Sequence, residues 1–146
     1  MKRNRSVPTA TVIPELTYPD VRAAVAWLTE AFGFAERVKI GEGHRAQLSF
    51  GDGALIVSEV RGERRAPLAD GSSHSVMVRV DDAAAHCEHA RAAGATILDE
   101  PTDHMYGERQ YNAVDFAGHR WTFTESIADR KPEDWGGETI AAWQPD

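Results

Sequence analysis

The sequence predicts an α+β domain in which two βαβββ modules form an open β-cup with the helices on its outer face. Three observations predict it. First, Tyr18-Pro19-Asp20-Val21-Arg22-Ala23-Ala24 opens an apolar helical pattern that ends at Gly33, and Arg79-Val80-Asp81-Asp82-Ala83-Ala84 opens an alanine-rich one that ends at Gly94. Second, each stretch then turns extended and closes on a similar sequence, Phe50-Gly51-Asp52 with Ser58-Glu59 and Phe116-Ala117-Gly118 with Thr124-Glu125. The matched points lie about sixty residues apart, too far for a solenoid unit and right for a duplicated half-domain. Third, a chain of 146 residues can bury one well-formed core but not two independent ones.

Residues 1–10 are polar and basic without periodicity and are expected to form a flexible arm. Module one, residues 11–60, opens with a strand over residues 11–18, where Pro14 requires an edge or a crossover. Asp20 is placed to cap a helix whose buried stripe is Val21, Ala24, Val25, Leu28 and Phe32. Strands follow near residues 35–40, 44–50 and 54–60, joined by Gly41-Glu42-Gly43 and Gly51-Asp52-Gly53 turns. Residues 61–73 are charged and aperiodic and read as the connection between modules. Module two, residues 74–126, repeats the plan: strands at 74–80, 96–99, 109–116 and 119–125, and a helix at 82–93. A loop runs from Pro101 to Gly107. The tail, residues 127–146, carries Trp135 and Trp143, and exposed indoles would waste apolar area, so both are expected to dock.

Hydrophobic residues at 42% and charged residues at 27% are those of an ordinary globular chain, and a net charge of -7 argues against nucleic acid and anionic membrane as partners. Small molecules or a second copy of the chain are the expected partners. No apolar run reaches membrane-span length and no signal-peptide hydrophobic region opens the chain, so a cytoplasmic location is expected. The single cysteine, Cys87, excludes an internal disulfide and reads as a buried packing thiol.

The paired modules, together with Asp115-Phe116-Ala117-Gly118-His119-Arg120-Trp121-Thr122-Phe123, resemble the vicinal oxygen chelate superfamily, which includes glyoxalase I, bleomycin resistance proteins and extradiol dioxygenases. The resemblance covers residues 11–126, and Tyr106-Gly107-Glu108-Arg109 is similar to a stretch in a phosphonate-associated subgroup. It implies a homodimer. It also implies a divalent ion held by one side chain from the first and one from the last strand of each module, positions that fall here on Ile13, Ile56, Ser75 and Thr122. None is a usual ligand for zinc, nickel, iron or manganese. No metal or other cofactor is therefore expected, unless the true ligands stand elsewhere on the strands.

Period two along the strands gives the expected cup lining: Ile13, Glu15 and Thr17; Ala54, Ile56 and Ser58; Ser75, Met77 and Arg79; Arg120, Thr122 and Thr124. Such a lining suits a small or flat organic ligand held by shape. Two roles are open to Glu15: an ion pair with Arg79 or Arg120 across the cup, or, in a partly apolar site, a general base. Tyr106, Arg109 and Tyr111 lie in or after a loop that can close over the mouth, where Arg109 suits a carboxylate or phosphonate. His86 and His89 are expected to face solvent, and His119 the helix side. No phosphate loop, Ser-His-Asp set or paired-cysteine motif is present. The expected function is glyoxalase/bleomycin-resistance-like binding of a small organic molecule. The alternative is a lyase, isomerase or dioxygenase-type enzyme using Glu15 or a metal at another position.

Overall fold

A computed structural model describes residues 2–140. Module one contains β1 (Glu15–Tyr18), α1 (Val21–Phe32), β2 (Ala35–Ile40), β3 (Arg45–Phe50) and β4 (Gly53–Glu59). Module two contains β5 (Val76–Arg79), α2 (Ala83–Ala92), β6 (Thr96–Asp103), β7 (Glu108–Val114) and β8 (Arg120–Ser126). The duplication is reproduced strand for strand, with sheet orders β1-β4-β3-β2 and β5-β8-β7-β6. In each sheet the first strand runs parallel to the last, and the hairpin strands are antiparallel.

The helices begin where the capping chemistry requires. Asp20 and Asp82 each accept, at 3.0 Å, from the amide three residues on, satisfying donors that the first turn leaves without partners. Glu125, at the end of β8, also accepts from Ala83 N at 2.8 Å. α1 ends on Gly33 with φ of 89°, a left-handed cap whose amide returns to Leu28 and Thr29 carbonyls.

The modules meet through their helices, so each sheet turns its helix-covered face toward the other module. Phe32, fully buried at the end of α1, sets its ring 5.2 Å from that of Trp121 and 4.7 Å from that of Phe123, both on β8 of the other module. Asp115, 5% exposed at the end of β7, accepts from Tyr18 Oη of module one at 2.6 Å and from Trp121 Nε1 at 3.1 Å. It also accepts from the amides of Ala117 and His119, both at 3.0 Å. Burial first, and then the Asp115 carboxylate, push the Tyr18 hydroxyl well above the ordinary tyrosine range. His119 Nε2 meets the Thr17 carbonyl at 2.7 Å, a second buried link between modules.

Three boundaries differ from expectation. β1 begins at Glu15 rather than residue 11, because beyond Pro14 only its carbonyl still pairs, accepting from Ile56 N at 2.9 Å. β6 runs on through Pro101 to Asp103, where a loop was expected; it is an edge strand, and its register shifts between Asp99 and Thr102 accommodate the proline. Part of the N-terminal arm lies on module one: Ser6 O accepts from Gln47 Nε2 at 2.8 Å, Arg5 O accepts from Arg37 Nη2 at 2.7 Å, and Pro8 is buried. In the tail, a 3₁₀ turn at Pro132–Trp135 brings Trp135 edge-on to Tyr106 at 5.6 Å. The expected docking of Trp143 lies outside the described residues.

Candidate functional site

Because the helices fill the space between the sheets, the uncovered face of each sheet is turned away from the other module. On the first sheet this face carries Glu15, Thr17, Ile56 and Ser58, joined in register by Arg45 and Gln47 of β3. Ile13 precedes β1 and is half-buried. Thr17 Oγ1 and Ser58 Oγ are 3.4 Å apart, and the buried Ser58 hydroxyl also reaches the Leu16 carbonyl at 3.4 Å. Glu15 pairs with Arg45 at 3.3 Å rather than with Arg79 or Arg120, which belong to the other sheet. Its side chain is 49% exposed, so it lacks the dry surroundings on which the reading as a base depends. The N-terminal arm, held by Gln47 and Arg37, covers part of this face.

The second sheet's free face carries Met77 and Arg79 of β5, Arg120, Thr122 and Thr124 of β8, and Glu108, Gln110 and Asn112 of β7. Ser75 stands just before β5. A continuous hydrogen-bond chain crosses this face. Tyr106 Oη donates to Gln110 Oε1 at 2.9 Å, Gln110 Nε2 to Thr124 Oγ1 at 3.1 Å, and Thr124 Oγ1 to Glu108 Oε1 at 2.7 Å. Arg79 closes the chain on Glu108 at 3.1 Å. Burial acts to raise the Glu108 carboxyl, but hydrogen bonds from Ser126 and Thr124 and the Arg79 charge outweigh it and hold the group below its ordinary range. Beside it, Thr122 donates to Asn112 at 2.5 Å and Asn112 to Asp99 at 2.7 Å.

Two expected site residues lie elsewhere. Arg109 and Tyr111 alternate with Glu108, Gln110 and Asn112 on β7, so their side chains project to the helix side. Arg109 pairs with Asp103 at 2.6 Å, and Tyr111 is fully buried, stacked on Phe123. His86, expected to face solvent, is half-buried, whereas His89 is exposed as expected. They donate from Nε2 to the carbonyls of Phe32 at 2.8 Å and Glu30 at 2.6 Å, capping the last turn of α1. His86 Nδ1 then accepts from Tyr111 Oη at 2.5 Å, which fixes a neutral tautomer. Period two along β3 and β7, followed past the turns, would have found Gln47, Gln110 and Asn112, which the sequence reading left out.

Burial lowers the His86 pKa below its ordinary 6.5, against the raising effect of the Phe32 carbonyl, with the nearby His89 lowering it further. The sign follows. Below about pH 6.5 the unfolded chain takes a proton at this position that the folded chain resists, so stability falls as pH falls through that range. Urea denaturation from pH 7.5 to 5 should show this decline. In His86→Gln, which keeps a donor for the Phe32 carbonyl but does not titrate, the profile should be flatter over the same range.

The sequence pattern of the Glyoxalase/Bleomycin resistance protein/Dioxygenase superfamily matches residues 10–123. The chain belongs to this superfamily. Its structure is similar to that of TioX from Micromonospora sp. ML1, with 33% identity, a TM-score of 0.67, and coverage of 81% of this chain and 99% of that one. The fold is shared with the fosfomycin resistance protein FosX from Listeria monocytogenes, at 13% identity, TM-score 0.63 and coverage of 80% and 93%. It is shared also with lactoylglutathione lyase from Agrobacterium tumefaciens, at 16% identity, TM-score 0.60 and coverage of 82% and 96%. Among curated proteins none matches. Within the superfamily fold, the four positions expected of metal ligands do not fit a metal. Ile13 and Ile56 have no donor atom, and the Thr122 hydroxyl is committed to Asn112. Among the described residues no three of His, Cys, Asp and Glu gather closely enough to hold an ion. Nor, among them, is any helix long and apolar enough to cross a membrane.

Proposed function

We propose that this superfamily member binds a small organic molecule without a metal, in cups that each need two copies of the chain. The observation that carries this reading is the orientation of the two free faces. Each is a shallow half of a cup, and turned apart as they are, they cannot enclose one ligand within a chain. Face one of one copy laid over face two of a second makes a full cup, with Thr17, Ile56 and Ser58 opposite Met77, Arg79 and Thr122. The free edges support association. β1 and β5 are both edge strands, and beside β5 opens a crevice of about 1000 Å³ walled by Phe34, Phe50, Leu55, Val76 and Val78. A lone chain would leave these strand edges unpaired and the exposed Met77 beside them uncovered.

Within such a cup Ile56 and Met77 supply apolar walls, while the Thr17 hydroxyl and the Arg79 guanidinium orient polar groups of the ligand. Tyr106 stands at the rim, hydrogen-bonded to Gln110. The side chains at the family's ligand positions support a metal-free cup, since they offer at most neutral hydroxyls.

Two measurements test the reading. Protein purified without chelators should carry far less than one divalent ion per chain; near-stoichiometric metal together with glyoxalase turnover would overturn the metal-free cup. A thermal-shift screen of aromatic metabolites, glycopeptide-like antibiotics and small phosphonates should return at least one saturable stabiliser, and Ile56→Arg, which fills the floor of face one, should abolish its effect. A flat screen would count against ligand binding.

A further inference from the structure

We propose that the connection between the modules builds a separate binding site for a small oxyanion, over the turn that joins β7 to β8. The site does not depend on the cups and would stand if they bound nothing. Residues 65–74 of the connection fold across this turn and enclose a crevice of about 450 Å³. Its lining includes Arg65, His74, His119 and Arg120, with Ser72 and Ser73, and contains no acidic side chain. In a chain of net charge -7 this is a local reversal of sign.

The cationic groups are arranged to receive a ligand rather than to satisfy one another. Arg120 is half-buried, yet makes no hydrogen bond or ion pair with any described residue through its side chain. Arg65 also pairs with no described carboxylate. One of its terminal nitrogens is anchored on the Gly62 and Arg64 carbonyls, which leaves the rest of the guanidinium available. The His74 ring is held through Nδ1 by Ser73 Oγ at 3.2 Å, and Ser72 Oγ donates to the His74 carbonyl at 2.7 Å. Nε2 of His74 has no partner among the described residues. His119 supplies a wall only, because its Nε2 is committed to the Thr17 carbonyl. Of the acids around it, Asp99 lines the adjoining crevice on the face-two side and is engaged by Asn112, Asp115 beneath the turn is engaged by Tyr18, Trp121 and the turn amides, and Asp70 of the connection is exposed and outside the lining.

The turn itself is shaped for the overlay. Gly118 has a φ of 98°, and a Cβ there would stand 3.5 Å from Pro67 Cβ, so the connection lies directly on the glycine. Two guanidinium groups and an imidazole around a crevice of this size match the planar, multiple-donor recognition that phosphate and carboxylate groups receive.

The test is titration with inorganic phosphate at constant ionic strength, chloride serving as the control, read from the imidazole C2 proton of His74 by NMR. The resonance is assigned by its loss in His74→Gln. The expected result is a saturable shift with a Kd on the order of 1 mM, weakened at least fivefold in Arg120→Ala and in Arg65→Ala. In Arg64→Ala, a linker arginine outside the crevice, it should be unchanged. Phenyl phosphate run in parallel tells an ester from the free ion, and saturable binding of either supports the site. A shift that grows linearly, that chloride reproduces, or that survives Arg120→Glu in a chain with an unchanged melting temperature would overturn it.

Discussion

Asp115→Ala should cost about 4 kcal/mol of folding stability and lower the melting temperature by about 10 °C or more. The carboxylate accepts from two buried side chains belonging to different modules, Tyr18 and Trp121, and from two backbone amides of its own turn. Its removal leaves the Tyr18 hydroxyl, at 0% exposure, and the Trp121 indole N–H, at 1%, with no acceptor and with little access to water. Each such orphaned group costs roughly 1–3 kcal/mol. Asp115→Asn should be milder, since its amide oxygen still accepts on one side while its NH₂ opposes either the indole or the turn amides. Chemical denaturation checks both variants, and a loss below about 1 kcal/mol in Asp115→Ala would contradict the assigned role.

Phe32→Ala should be of similar size, about 3–5 kcal/mol, by the usual cost of emptying an aromatic site in a packed core. The ring is fully buried where four others converge: Trp27 at 4.9 Å, Phe123 at 4.7 Å, Trp121 at 5.2 Å and His86 at 6.3 Å. Only Trp27 belongs to the module that carries Phe32, so the cavity opens in the shared core rather than inside one half. Wild type and variant should therefore each unfold in a single transition, the variant at lower denaturant. Two separate transitions, or a loss confined to module one, would mean that the modules hold independent cores.

The parts of this fold that rest on local chemistry were legible in the sequence. Asp20 and Asp82 cap helices, Gly33 ends one, and the alternation Glu15-Thr17 beside Ile56-Ser58 is the register found between β1 and β4. The failures arose where distant packing decides. Cys87 marks a buried stripe on α2 and so implies that His86 and His89 face water, which holds for the exposed His89 but not for His86, whose ring is taken up by the carbonyl end of α1 and by Tyr111. Tyr111 and Arg109 were drawn toward the site by their nearness to the Tyr106 loop, although alternation from Glu108 already assigned them to the opposite face. The orientation of the two free faces could not be read from either module alone. It depends on Phe32 of one helix seating on β8 of the other sheet, a contact across about ninety residues of chain whose cost and reward are invisible to local patterns. Alternation groups Glu15, Thr17, Ile56 and Ser58 on one face of the first sheet and Met77, Arg79, Arg120, Thr122 and Thr124 on one face of the second, while Ile13 and Ser75 stand before their strands and the joining of the faces into one cup is a question of assembly.

Sedimentation equilibrium on the full chain tests that assembly most directly. A cup completed by a second copy predicts a species of twice the 16.0 kDa chain mass, persisting to low micromolar concentration. A mass of one chain at every concentration would leave both half-cups open and contradict the account.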